Sequence, residues 1–310
     1  MPKQEPKRQK RLTHTLRTAL VSVLVVAFFA LPAFMTVRWA KTIIFGPGDP
    51  RKVTQVAPLQ TRAYDKQHPT LEPFKQPIVS VTFDDGWENV YTKALPILQE
   101  KGFLTTQYII GGVLDNPVYM SVGQIKAMQK AGHEIGSHTM THSDLTLLPQ
   151  SNLIWELTET RKVLQKDFGV VPKDFASPLG AVSDRTIKAI ADTYRSQRDT
   201  EGDPKTVNEL DVNVKDKWDI YNVKAYSVRR TTTLEDIRKL VGYTVANNGW
   251  LVLTYHQVDD AVNNNDEEFG VTPENLRRQL EVISSQPIRS APLGKVLDAY
   301  EQQHNRSQAQ

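Results

Sequence analysis

Two rhythms of apolar and polar positions alternate along residues 77–300. Short, unbroken apolar runs rich in β-branched and aromatic side chains recur between longer amphipathic stretches. The clearest run, Ile78-Val79-Ser80-Val81-Thr82-Phe83, predicts a strand buried on both faces. Further strands are predicted at residues 105–110, 134–137, 174–177, 194–198, 221–227 and 250–256. Helical patterns fill most of the gaps. One begins at Ser121, where Ser121 and Gln124 can form a capping box. Others cover about 150–168 and 234–247, and a last one follows Thr272, an N-cap with Pro273 at the first helical position. Strands that alternate with helices build a parallel sheet covered on both faces, so the pattern predicts an α/β fold of about seven parallel strands.

The ends of the chain break this rhythm. Residues 18–37 carry no charge. As a helix rising about 1.5 Å per residue, that stretch reaches about 30 Å and predicts a transmembrane segment. Six basic side chains stand before it, against Arg38 and Lys41 after it, which predicts a cytoplasmic N-terminus and a single-pass protein whose main domain lies outside the cytoplasm. The rival is a cleaved secretory signal, whose apolar region usually runs about 7–15 residues and is shorter than this one. Residues 38–76 are punctuated by Pro47, Pro50, Pro58, Pro69 and Pro73 and read as an extended linker. Residues 301–310 are polar and read as a disordered tail.

Charge and composition narrow the field. The formal net charge is +3, but residues 1–17 hold six basic side chains against Glu5, so the rest of the chain is slightly acidic. That balance argues against a nucleic-acid partner, and no protein partner is indicated. There is no cysteine. Disulfides and thiolate ligands are therefore excluded, and a metal would have to be held by imidazole and carboxylate.

The candidate chemistry gathers at two places. The first predicted strand ends in Asp84-Asp85-Gly86. Successive strand side chains point to opposite faces, so the two carboxylates share one site only if the strand ends there, which Gly86 permits. His138 and His142 follow the third predicted strand. Placed on one helical turn, their Cβ atoms would stand about 5–6 Å apart, a reach that suits two imidazoles on one ion. One carboxylate and two imidazoles leave coordination positions open, as catalytic zinc sites do, and free the other carboxylate to act as a base. The set predicts metal-assisted hydrolysis.

Thr82-Phe83-Asp84-Asp85-Gly86 and Ser137-His138-Thr139-Met140-Thr141-His142 together resemble the first two motifs of the polysaccharide deacetylase family, carbohydrate esterase family 4. The resemblance covers roughly residues 76–300 and implies a distorted (β/α) barrel. It implies further that Asp85, His138 and His142 hold a divalent metal ion, zinc above all, and that Asp84 is the general base. The apolar run 250–255 closed by His256 resembles the family's last motif, which makes His256 the general acid. Residues 175–180 stand where the third motif, usually Arg-x-Pro-Tyr-Gly, is expected; Pro178 and Gly180 match, while Ala176 replaces the arginine and Leu179 the tyrosine. The Leu179 backbone N–H is then the candidate for stabilising an oxyanion, and Arg198, on the next strand, for supplying the missing guanidinium to Asp84. A fourth-motif aspartate that supports the general acid has no clear counterpart; Asp216 and Asp219 are the nearest.

Trp87, beside the catalytic turn, is a candidate platform for a sugar ring. The acidic run 259–268 reads as a solvated loop, with gating of the site as the alternative. The function implied is removal of N-acetyl groups from an extracytoplasmic amino-sugar polymer such as peptidoglycan, chitin-like or poly-N-acetylglucosamine chains. Two alternatives stay open: hydrolysis of another amide or an O-acetyl ester, or a catalytically silent wall-glycan-binding protein.

Overall fold

In the computed structural model, residue 59 and residues 61–114, 116–200, 211–260 and 268–308 are described. The chain divides into two units, residues 1–50 and 51–310. The first unit, with the predicted basic segment and membrane span, lies outside the described residues, as does most of the predicted linker. No helix among the described residues is long and apolar enough to cross a membrane.

The two strands most apolar in sequence form the middle of the sheet. β1 (Ile78–Phe83) and β8 (Trp250–Tyr255) are buried at every position and pair in parallel, from Ile78 opposite Trp250 to Phe83 opposite Tyr255. Such strands tolerate polar side chains only where these are bonded. Ser80 Oγ donates to Ala291 O at 2.8 Å and accepts from Trp250 Nε1 at 3.0 Å, and Thr82 Oγ1 meets Thr254 Oγ1 at 3.0 Å. Outward from β1 run β2 (Thr106–Ile109), β3 (Glu134–Ser137), β4 (Asp174–Ala176) and β5 (Ser196–Arg198), all parallel. β7 (Tyr226–Ser227) adds to β8 and β9 (Arg289–Ser290) to β1, both parallel, while β6 (Val212–Asn213) pairs with β8 antiparallel. The sheet thus has nine strands among the described residues rather than about seven, and one of them runs against the rest. β6 and β9 are two residues long, too short to show a period.

The segment leading into β7 links the two flanks of the sheet. Val223 exchanges backbone hydrogen bonds with Gln197 and Asp199 beside β5, and Tyr226 pairs with Leu253 of β8. The result is a curved, mixed α/β half-barrel. Helices cover its outer face: α2 (Leu95–Lys101), α3 (Val122–Lys130) with the predicted Ser121–Gln124 capping box, α4 (Gln150–Phe168), α5 (Asp184–Ala191), α6 (Leu234–Ala246) and α7 (Pro273–Ser284) capped by Thr272.

Two boundary expectations are corrected. Within the predicted linker, α1 (Ala63–Gln67) packs on the domain: Arg62 and Asp65 are buried, and Asp65 Oδ1 accepts from the Ser290 N–H at 3.0 Å. That buried carboxylate also meets Arg289, so the segment is held by ion pairs that proline spacing does not reveal. At the other end, α8 (Leu293–Gln308) runs through most of the predicted tail. Residues 301–308 contain neither glycine nor proline, and Glu301 is tied to Arg195.

Candidate active site

Asp84 and Asp85 follow the last residue of β1, and the strand does end there. Asp85 takes a left-handed backbone (φ 71) and Gly86 continues it (φ 86), which turns both carboxylates toward one cavity. The cavity holds about 290 Å³ and is also lined by His138, His142, Leu179 and His256. Two larger hollows, about 520 and 570 Å³, share no residue with it and gather no comparable set of carboxylates and imidazoles. Size does not locate the chemistry here.

Asp85 Oδ1 stands 3.5 Å from His138 Nε2 and 3.3 Å from His142 Nε2, and the three donor atoms lie within 4.8 Å of one another. The other Asp85 oxygen accepts from Trp87 Nε1 at 2.8 Å. His138 Nδ1 bonds to Ala176 O at 2.8 Å. A carbonyl can only accept, so Nδ1 carries the hydrogen and Nε2 presents a lone pair. Asp85 Oδ1 is buried and has no hydrogen-bond donor. A buried carboxylate oxygen left bare beside two imidazoles calls for a cation. The donor set fits a divalent metal ion, and of the described residues these three are the group that could hold one.

The two histidines are not on a helical turn. They sit on a loop after β3 in which Thr139 (φ 63) and His142 (φ 60) are left-handed, with ring centroids 5.0 Å apart. Left-handed backbone is unfavourable for such residues, and tertiary bonds hold it in place. The buried Glu156 of α4 accepts from Met140 N (2.8 Å), Thr141 N (3.0 Å) and Thr141 Oγ1 (2.5 Å), diverting groups that a helix would use internally. Thr139 Oγ1 accepts from His142 N at 3.0 Å. On the far side Gly112 N bonds Met140 O, so close that a Cβ at Gly112 would fall 2.4 Å from that oxygen. Glu156 escaped the sequence reading, although it interrupts the stripe Leu153, Leu157, Thr160, Leu164 of a helix otherwise apolar on that face.

Asp84 faces the opposite wall. It is 2 % exposed, and its Oδ2 takes a 2.5 Å hydrogen bond from Arg198 Nη2, while the Nε2 atoms of His138 and His256 each lie 3.9 Å away. Its Oδ1 is buried with no partner. His256 is 18 % exposed at its side chain, and its Nδ1 also lacks a partner. Asp216 and Asp219 do not supply one: Asp219 caps its own turn by accepting from Tyr221 N, and Asp216 lines one of the distant hollows.

Charges in this cluster bias one another. Burial alone would raise Asp85, but its close approach to the His138 imidazole, with His256 and His142 beyond, holds its pKa well below the carboxylate range. Burial opposes a proton on His138, yet Asp84 and Asp85 outweigh it and raise its pKa. His142 and His256 are lowered, chiefly by burial; His138 adds to the effect at His142, and Asp84 with Asp85 resists it at His256.

The remaining candidates divide. Leu179 (φ 60) stands on the cavity rim with 70 % exposure. Trp87 does not line the cavity. Its N–H is spent on Asp85 and its face on Tyr119, stacked at 4.7 Å, so the expected sugar platform is instead a support for Asp85. The aromatic group that does reach the cavity is Phe269, 38 % exposed and 5.0 Å from the His256 ring, with the Arg229 guanidinium carbon 4.7 Å from the centroid of the Phe269 ring. Phe269 follows the acidic run directly. In that run Asp259 and Asp260 pair with Lys93, Glu268 pairs with Arg229, and residues 261–267 lie outside the described residues.

Comparison with known proteins gives a consistent result. The family model described as polysaccharide deacetylase matches residues 72–195, a stretch that includes Asp84, Asp85, His138 and His142 and stops before Arg198 and His256. Chitin deacetylase 1 of Cryptococcus neoformans is 34% identical over 112 residues, 36% of this chain and 23% of that protein. A peptidoglycan-N-acetylglucosamine deacetylase of Bacillus cereus is 30% identical over 117 residues, 37% of this chain and 53% of that one. The matched region therefore spans less than two thirds of these relatives. Among solved structures, the Xyl-CE4 domain of a multidomain xylanase from the hindgut metagenome of Trinervitermes trinervoides aligns with a TM-score of 0.51 at 19% identity. That alignment covers 73% of this chain and 92% of the other, and the likeness is one of fold.

Proposed function

The chain belongs to the polysaccharide deacetylase family, and from that premise we propose that it hydrolyses N-acetyl groups on an amino-sugar polymer outside the cytoplasm. The observation that carries the reading is the convergence of Asp85 Oδ1, His138 Nε2 and His142 Nε2 beside a second buried carboxylate and a third imidazole. One carboxylate and two imidazoles suit zinc. A divalent cation held there supplies Lewis-acid polarisation.

The protein's own groups do the proton work. Asp84 Oδ1, bare and buried, accepts a proton from the attacking water. The water oxygen bonds to the acetamide carbon, and the Leu179 backbone N–H at the rim faces the oxyanion that forms. The C–N bond then breaks, His256 donates a proton to the departing amine, and acetate leaves. Base and acid serve together only if Asp84 is ionised while His256 is protonated; burial works against the proton on His256, and the charges of Asp84 and Asp85 oppose that effect.

The test is acetate release from an N-acetylated chitooligosaccharide and from an O-acetylated xylooligosaccharide, before and after chelation and after zinc is restored. Turnover of the first substrate that chelator abolishes and zinc restores is expected. Release from the second alone would make the protein an esterase, and release from neither would leave a glycan-binding role. For residues 18–37 we propose an uncleaved anchor. Protease added outside intact cells is then expected to reach the domain but not the basic N-terminus; a domain shielded from protease would refute this placement.

A further inference from the structure

Arg198, at the C-terminal end of β5, is 0 % exposed, and its guanidinium makes one hydrogen bond, to Asp84 Oδ2. Its Nε and Nη1 are buried without a partner. A cation held this way is expensive, since each unmet donor forgoes the water it left. Stability alone does not account for the arrangement. The space is nonetheless shaped for it: the Tyr108 ring lies 5.1 Å from the guanidinium carbon, and Tyr108 fits there because residue 136 is glycine, where a Cβ would fall 2.5 Å from the ring.

We propose that Arg198 is the positioning residue for the base. By fixing Oδ2 it leaves Oδ1 as the proton-accepting atom, and it keeps the carboxylate from turning into the ligand set, whose His138 Nε2 is 3.9 Å away. Arg198 touches neither metal donors nor, by this assignment, the substrate. It acts through Asp84.

The sheet register supplies a test. Ala176 of β4 is the paired neighbour of Arg198, so side chains at 176 and 198 stand side by side on one face of adjacent parallel strands, about 4.8 Å apart. An arginine at 176 in a chain with Arg198→Ala can therefore carry a guanidinium to Asp84 from the next strand. The His138 bond survives this change because it uses the Ala176 carbonyl, not its side chain.

The experiment compares wild type, Arg198→Lys, Arg198→Ala and the Ala176→Arg/Arg198→Ala pair in the zinc-loaded full chain. Measured quantities are kcat and KM on N-acetylated chitooligosaccharide and zinc per chain. On the scale of lost base catalysis, Arg198→Ala is expected to lower kcat about 10²-fold and Arg198→Lys about 10-fold, with KM within about twofold and zinc retained. The relocated pair is expected to recover at least about 10-fold of the loss. An unchanged kcat in Arg198→Lys, or a loss shared equally by KM, would overturn the proposal, as would a folded relocated pair without recovery.

The kinetic readout rests on the deacetylase reading. A thermal cycle of Asp84→Asn, Arg198→Met and their double variant does not. If the two side chains act on each other, the double variant loses less stability than the two single losses together; additive Tm shifts refute the pairing whether or not any glycan is turned over.

Discussion

Two arginines at opposite ends of one strand show how this domain uses buried charge. Arg195, just before β5, has every guanidinium nitrogen engaged: Nε and Nη2 on Asp174 (3.0 and 2.6 Å), Nη1 on Asp298 and Glu301 (2.5 and 3.3 Å), and Nη2 also on Gly294 O. Burial works against its proton, but Asp174 and Asp298 raise its pKa, and Arg195 in turn lowers that of Asp298. Arg198, three residues on, spends one hydrogen bond and leaves two nitrogens bare. The first cluster is closed, and its energy goes into joining β4, β5 and α8. The second is open, and its other bare atoms (Asp84 Oδ1, Asp85 Oδ1, His256 Nδ1) belong to residues of one cavity. Saturated polar networks fix a fold, whereas unsaturated ones that face a cavity mark where a ligand completes them.

Breaking the open cluster is expected to have the largest effect on activity and little on folding. His138→Ala or His142→Ala removes one of the three proposed metal donors, so on that proposal bound zinc and turnover should both be lost while the circular dichroism spectrum persists. Full zinc occupancy in the double variant would remove Asp85, His138 and His142 as the site. Asp84→Asn comes next. It should keep zinc, since Asp84 lies outside the donor set, yet lower kcat by about 10²–10⁴-fold. Loss of zinc in that variant would mean that the two aspartates share or exchange roles.

The closed cluster predicts the reverse. Arg195→Leu strands the buried carboxylate of Asp174, and breaking a buried pair costs about 3–5 kcal/mol. Urea denaturation should register that loss, while kcat at a temperature where the variant is folded stays near wild type. A kcat defect as large as that of Asp84→Asn would erase the distinction between the two ends of the strand.

The contrast also explains what could be read from the sequence. β1 and β8 were legible because burial on both faces writes an unbroken apolar run, and the grouping of Asp85, His138 and His142 was legible because all three follow the C-terminal ends of strands of one parallel sheet, β1 and β3, with β2 between them. The geometry of the histidine loop was not. Its left-handed turns at Thr139 and His142 are held by Glu156, a residue on the buried face of α4 whose partners lie on another segment. The Arg198–Asp84 contact joins residues 114 apart across the interior of the curved sheet, beyond the reach of any local pattern, although the absence of an arginine at 176 pointed toward it. Phe269 carries no motif; its place over His256 follows from how the chain returns after β8.

A third buried group separates bare atoms from functional ones, and it carries the smallest effect. His133, just before β3, is buried; its Nδ1 accepts from Thr105 N at 3.2 Å and meets Thr105 Oγ1 at 2.7 Å, while Nε2 has no partner. It lines no part of the Asp84–Asp85 cavity. Burial pushes its pKa down from 6.5 to about 4. Above pH 6.5 the ring is neutral in both folded and unfolded chains, and the fold keeps its full stability. As pH falls from about 6.5 toward 4, the unfolded chain binds a proton that the folded one refuses, so stability rises with pH across this window and is lost on acidification. The shift corresponds to about 3 kcal/mol once both states are protonated. His133→Gln should therefore flatten the fall in urea-unfolding free energy between pH 7 and pH 4.5, whatever its cost at pH 7, and leave kcat unchanged where the variant is folded. If the acid slope persists in His133→Gln, the loss originates elsewhere. If kcat falls with it, a bare buried nitrogen distant from the cavity bears on the chemistry after all, and the cavity is too narrow a criterion for the open cluster.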